Sequence, residues 1–367
     1  MSQQNAKYGS MTMKESLSLA LTGLSLPLYT LLNLPKILLK PSRQGVLRDI
    51  VLLLVKFLTR RTSTSQMQVI LGNTISTYQK WSKRHGFPIL EEELVDGGNL
   101  FWLGPKQTNK VIVYVHGGGF YFPVQDCGLN FCHYVRQTLV KSGVNDVGLA
   151  LLNYSLMPEA SFPIQLRQLA VAVDRLLASG VAPRNLYLIG DSAGANTIIQ
   201  LISNLLHPND DLAPTVNLKE AIGGIYLMSP LVKFESTKPS FVNPHAWDIF
   251  DRKTVTGWST GYAARAPDSL RSYFEPSSVP NGWFADLSRV CSRVLVSAGS
   301  DELFRDDIVE FFETHLQPTK ADTRLEIQDG SVHDDPLYDC FFSASPSKVG
   351  ALTPIIVDWF KAALEQR

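Results

Sequence analysis

Between Lys110 and Gln328 the chain repeatedly sets a short apolar run against a longer stretch with apolar residues three and four apart. KVIVYV, VGLALLN, NLYLIG and AIGGIYLM have the length of strands, and their continuous rather than alternating apolarity means burial on both faces. RVLVSAG and TRLEIQ follow further on. Between the runs, SFPIQLRQLAVAVDRLLASG and ANTIIQLISNLLH carry helical spacing, and TPIIVDWFKAALEQ closes the chain. Strands buried on both faces need helices on both faces, so the expected class is α/β, a mostly parallel central sheet flanked by helices. In such a sheet, ligand sites form beyond the C-terminal ends of the strands.

The rest of the chain hangs on that frame. With 367 residues, 45% of them apolar, there is material for one enlarged domain rather than two full ones. Residues 1–85 read as an N-terminal helical extension or cap, and SQMQVILGNTISTYQKWSKRHG within it reads as one helix ended by Gly86. Residues 86–367 form the α/β domain, interrupted at about 233–287 by an aromatic and proline-rich segment without the strand rhythm. Such a segment between two core strands is expected as an inserted cap that roofs a cavity.

The first apolar stretch, SLSLALTGLSLPLYTLLNLP (Ser16 to Pro35), has no charged residue and is about as long as a bilayer is thick. Pro27, Pro35, Gly23 and Asn33 interrupt it, and VLRDIVLLLVKFLTRR after it is amphipathic. Two readings stand side by side: a membrane-anchored or membrane-lying N-terminus, or a pair of helices packed over the domain as a lid. Lys and Arg number 34, as do Asp and Glu, so nothing points to nucleic acid, and neutral ligands are favoured. Cys127, Cys132, Cys291 and Cys340 show no zinc or redox spacing and read as reduced structural thiols.

Chemistry concentrates where strands end. In YLIGDSAGAN, Gly190, Ser192 and Gly194 form a G-x-S-x-G pattern between a strand and a helix, the setting of a nucleophile elbow that lifts a serine Oγ above the sheet. A serine needs a base, and the oxyanion formed by its attack needs donors. HGGGF, His116 to Phe120, offers the N–H groups of Gly118 and Gly119, and Ala193 follows the nucleophile. His333, in DGSVHDD after TRLEIQ, is placed to be the base, and Asp301, in SAGSDELFRDD, is placed to be the acid. The order Ser192, Asp301, His333 is the one expected of this constellation. Asp306 and Asp307 are rivals to Asp301, while Asp334 and Asp335 flank the base. Phe120, Trp247, Phe250 and Trp258 are expected to line the substrate cavity. No metal or cofactor is called for.

HGGGF and GDSAG together resemble the hormone-sensitive-lipase family of α/β-hydrolases, and NYSLMPEASFP is similar to a third segment of that family. The resemblance runs from about Asn99 to the C-terminus. In the family's acid motif, D-P-L-x-D, proline follows the aspartate; here Glu302 follows Asp301, and Asp334 follows His333 where a small residue is usual. The long N-terminal part looks most like fungal members, which include steryl acetyl esterases and esterases of secondary-metabolite clusters. The resemblance implies a cofactor-free serine esterase acting through an acyl-enzyme on neutral apolar esters such as acetylated sterols, terpenoids or polyketides. Alternatives are a biosynthetic enzyme that uses the same residues for acyl transfer, cyclisation or condensation, and a receptor on the same fold. The expected partner is a small-molecule ester, with membrane contact through the N-terminal helices, and the expected location is intracellular, in the cytoplasm or on the endoplasmic-reticulum membrane.

Overall fold

In the computed structural model, which describes residues 7–39, 45–243, 245 and 248–365, an eight-stranded sheet separates two layers of helices. The strands are β1 (Glu91–Glu93), β2 (Asn99–Trp102), β3 (Lys110–Val115), β4 (Val147–Asn153), β5 (Leu186–Asp191), β6 (Gly224–Met228), β7 (Arg293–Gly299) and β8 (Asp322–Gln328). Their order is β1-β2-β4-β3-β5-β6-β7-β8. The pairs β1/β2 and β2/β4 are antiparallel, and every pair from β4 through β8 is parallel. The central strands are buried throughout, as their continuous apolarity requires. β1, three glutamates at the edge, gives no apolar signal, and charge at an edge discourages pairing with another chain.

The helices preceding the sheet are α1 (Met13–Leu39), α2 (Val46–Arg61), α3 (Thr64–Leu71) and α4 (Thr74–Arg84). Those that alternate with strands are α5 (Asp126–Lys141), α6 (Ile164–Ala178) and α7 (Ser192–Leu206). Residues 233–287 carry α8 (Pro239–Val242), α9 (Arg252–Ala263) and α10 (Arg271–Phe274), and α11 (Arg305–Phe311), α12 (Asp335–Asp339) and α13 (Leu352–Glu365) complete the chain. On one face of the sheet, apolar residues of α6 and α7 pack with Phe241, Val255, Tyr262 and Phe274 of the aromatic segment. On the other, α4, α5 and α13 pack, with Tyr78 and Trp81 of α4 fully buried.

The helix expected to end at Gly86 is two helices. Gly72 takes a positive φ of 74° and Asn73 caps the next turn, its side chain accepting from Ser76 N–H at 2.9 Å. The break turns α3 against the site while α4 joins the core. Gln68 of α3 donates to the carbonyls of Tyr121 and Met157, at 3.1 and 2.8 Å.

The helices of the N-terminus pack differently. Leu52 of α2 is buried with Ile249 and Val332, so α2 lies over the domain. α1 forms no such lid: Leu17, Leu21, Leu24, Leu28, Leu31 and Leu32 are all more than half exposed. It is long and apolar enough to cross a membrane, and among its residues Ile37 is buried.

Candidate functional site

The site lies where β3, β5, β7 and β8 end. Val115 pairs with Gly190, so the chain leaves β3 into HGGGF beside the point where β5 turns into α7. Ser192 holds a φ of 50°, uncommon for a residue with a Cβ and the mark of a strained turn that projects its side chain. Gly194 permits this turn, because a Cβ there would collide with the Val115 carbonyl. Gly119, at φ 62°, lies so close to the Trp258 ring that a Cβ would come within 2.9 Å of it.

The predicted donors meet at this turn. Among the described residues, no protein acceptor takes the N–H of Gly118, Gly119 or Ala193, which leaves them available to an oxyanion, and Ala193 sits at the positive end of α7. Behind the loop, Tyr154 donates to the His116 carbonyl at 2.6 Å and its ring stacks on His116 at 4.4 Å. His116 is therefore a structural support for the glycines. Burial pushes its pKa down to about 4, against the hydrogen bond to Gly117, so the ring stays neutral.

His333 is met by a different carboxylate from the one expected. His333 Nδ1 lies 2.9 Å from Glu302 Oε1, with both side chains essentially inaccessible. Glu302 is fixed in turn: its Oε2 accepts from Ser229 Oγ at 2.8 Å and from Gly299 N–H at 2.9 Å. Asp301, expected in this role, points the other way, 3.2 Å from His245 Nδ1 and partly exposed. The physical reason is local: Asp301 N–H bonds back to the Ser331 carbonyl across the β7 and β8 loops, and consecutive side chains of this turn diverge. Asp306 and Asp307 instead bind Ser240 and Ser236, tying α11 to the aromatic segment.

The other ring nitrogen, His333 Nε2, makes no hydrogen bond and lies 3.1 Å from Asp334 Oδ2. No hydrogen bond joins it to Ser192 Oγ here, and such bonds tighten when substrate binds. Burial alone would lower the pKa of His333. The Asp334 and Glu302 carboxylates at its two nitrogens outweigh that and hold it well above the ordinary value. Burial and the Asp334 charge push Asp191, whose Oδ1 accepts from Tyr114 at 2.7 Å, up to about 8.

Asp248 is a site residue that sequence reasoning missed. It is fully buried and accepts from His333 N–H at 3.2 Å, Leu303 N–H at 2.7 Å and Ile249 N–H at 2.9 Å. It thus clamps the loops that carry His333 and Glu302 to the aromatic segment, and burial pushes its pKa up to about 6. No motif surrounds it in the sequence.

A cavity of about 590 Å³ opens beside the glycine loop, bounded by α2, α3 and the aromatic segment. Phe250 and Trp258 line it, together with Gly118, Asp191 and Asp334. Phe250 also packs on the His333 ring at 5.1 Å. Phe120 does not line it: fully buried at φ 68°, its ring stacks on Tyr262 at 3.6 Å, so it belongs to the core. Trp247 lies outside the described residues. Ser192 and His333 themselves do not line the cavity; their chain neighbours Asp191 and Asp334 do. A larger groove, about 850 Å³, lies beyond Tyr338 and Arg48, away from the glycine loop.

A family model described as the alpha/beta hydrolase fold matches residues 112–335. The chain is 26% identical over 221 residues to an esterase of Acinetobacter venetianus, covering 60% of this chain and 65% of that protein. It is 21% identical over 209 residues to steryl acetyl hydrolase 1 of Saccharomyces cerevisiae, covering 53% of this chain and 46% of that protein. The chain thus spans about two thirds of the first relative and under half of the second. Among solved structures it is similar to an esterase from the bacterial hormone-sensitive lipase family, with a TM-score of 0.62 at 20% identity over 87% of this chain and 97% of that one.

Proposed function

Because the chain belongs to the α/β-hydrolase fold family, we propose that it is a serine carboxylic-ester hydrolase acting on neutral, apolar esters. The observation that carries this reading is the strained Ser192 turn lying beside free glycine N–H groups, together with a buried His333–Glu302 pair. The A. venetianus and S. cerevisiae relatives, an esterase and a steryl acetyl hydrolase by name, support acetyl esters as the first substrates to test.

Ser192 Oγ attacks the ester carbonyl while His333 Nε2 takes its proton, and Glu302 steadies the imidazolium through Nδ1. The N–H groups of Gly118, Gly119 and Ala193 hold the oxyanion. The tetrahedral adduct collapses as His333 returns the proton to the departing alcohol, leaving an acyl group on Ser192. Water, deprotonated by His333, then releases the acid. For the first step, Nε2 has to leave Asp334 for Ser192.

The test is Ser192→Ala assayed on 4-nitrophenyl butyrate, with folding checked by circular dichroism. The expected loss is about four powers of ten or more in kcat. Hydrolysis at a rate close to that of the unaltered protein refutes the reading. Labelling of Ser192 by a fluorophosphonate, absent in the variant, is the independent check.

A further inference from the structure

The 590 Å³ cavity combines apolar walls, among them Leu58, Met67, Ile249 and Leu337, with a polar end to which Asp334 and His116 contribute. Both residues are more than nine-tenths buried, and each holds an acceptor without a partner, Asp334 Oδ1 and His116 Nε2. The state of His116 follows from its neighbour. Its Nδ1 lies 2.8 Å from the Gly117 carbonyl, which can only accept, so Nδ1 carries the proton and Nε2 offers a lone pair. Buried acceptors left unmet destabilise a protein, so this end of the cavity calls for donors, supplied by water or by a ligand that displaces it.

We propose that Asp334 determines substrate choice, and that the cavity takes apolar esters carrying a separate hydroxyl group, which donates to Asp334 Oδ1. This rests on the esterase reading above. A hydroxyl fits better than an ammonium group because Asp334 Oδ2 already faces His333 Nε2 at 3.1 Å. A cation at Oδ1 would sit across a single carboxylate from the protonated imidazole. A hydroxyl brings no further charge into the chamber. Its hydrogen bond also draws electron density from the carboxylate and weakens the hold on Nε2, the nitrogen that must accept the Ser192 proton. The preference is therefore expressed in kcat as well as in KM.

The experiment compares butyl, hexyl and octyl acetates with the monoacetates of butanediol, hexanediol and octanediol bearing a hydroxyl at the far end. The unaltered protein is expected to favour at least one diol ester over its plain partner by about tenfold or more in kcat/KM. Asp334→Gly, which suits the φ of 54° at this position, is expected to bring that ratio close to one. Asp334→Asn, which keeps a neutral acceptor and tolerates the same backbone, is expected to give an intermediate ratio. Turnover of plain acetates with no preference for any diol ester, or a preference unchanged in Asp334→Gly, overturns the inference and leaves the esterase reading standing. Absence of turnover of all six esters, with no fluorophosphonate labelling of Ser192, overturns both.

Discussion

Glu302 Oε1 lies 2.9 Å from His333 Nδ1, while Asp301, its neighbour in the chain, turns away toward His245. The relationship separates two carboxylates that adjacency in sequence makes look equivalent.

Glu302→Gln should therefore lower kcat by about three to four powers of ten, because the amide no longer stabilises the imidazolium or fixes the tautomer. Asp301→Asn should stay within about threefold of the unaltered protein, since the side chain touches no part of the site. Steady-state rates on 4-nitrophenyl butyrate decide the matter. The reverse ranking would return the acid role to Asp301.

Asp334 and Glu302 hold the His333 pKa above its ordinary value. A base acts only when unprotonated, so the acid limb of the kcat/KM profile should lie on the alkaline side of the usual histidine range. Asp334→Asn removes the larger of the two charge effects, which lowers the pKa and should move that limb to lower pH. A limb that stays in place, or moves upward, would show that Asp334 does not bear on the base.

Arg48 of α2 reaches Asp335 at 2.5 Å and Asp339 at 2.8 Å, with its side chain 10% exposed and the two partners 4% and 5%. It fastens the covering helix to the segment that follows the base. Arg48→Met removes the guanidinium from both carboxylates and should cost about 3–5 kcal/mol. Urea unfolding should show a lower midpoint. A midpoint within experimental error of the unaltered protein would mean that the segment is held by other contacts.

α1 presents a row of leucines that none of the described residues covers, and the uncharged Ser16 to Pro35 stretch rises about 30 Å as a helix, the thickness of a hydrocarbon core. The 367-residue chain should float with phosphatidylcholine vesicles in a density gradient, and a form lacking residues 1–39 should remain at the bottom. Esterase activity of the shortened form reports whether the remaining domain is intact. Equal flotation of both forms would assign membrane contact to another surface.

The elbow and the glycine loop were legible because their requirements are local: a turn at positive φ and free N–H groups demand glycine at fixed spacing, and GDSAG and HGGGF display it. The parallel sheet was legible for a similar reason, since strands covered on both faces must be apolar throughout. The choice between Asp301 and Glu302 was hidden, because it depends on which side chain of a turn faces β8. Asp248 was hidden too, because its partners lie 55 and 85 residues away.

The sequence by itself determined the α/β class, the turn at Ser192 and the glycine loop beside it, all features set by backbone conformation within a few residues. Tertiary structure decided which carboxylate meets His333, that Phe120 belongs to the core while Phe250 and Trp258 face the cavity, and that α2 covers the domain while α1 does not. These depend on the direction of side chains across contacts between distant segments. A carboxylate or an aromatic ring has the same chemistry on either side of a turn, and only packing selects the side.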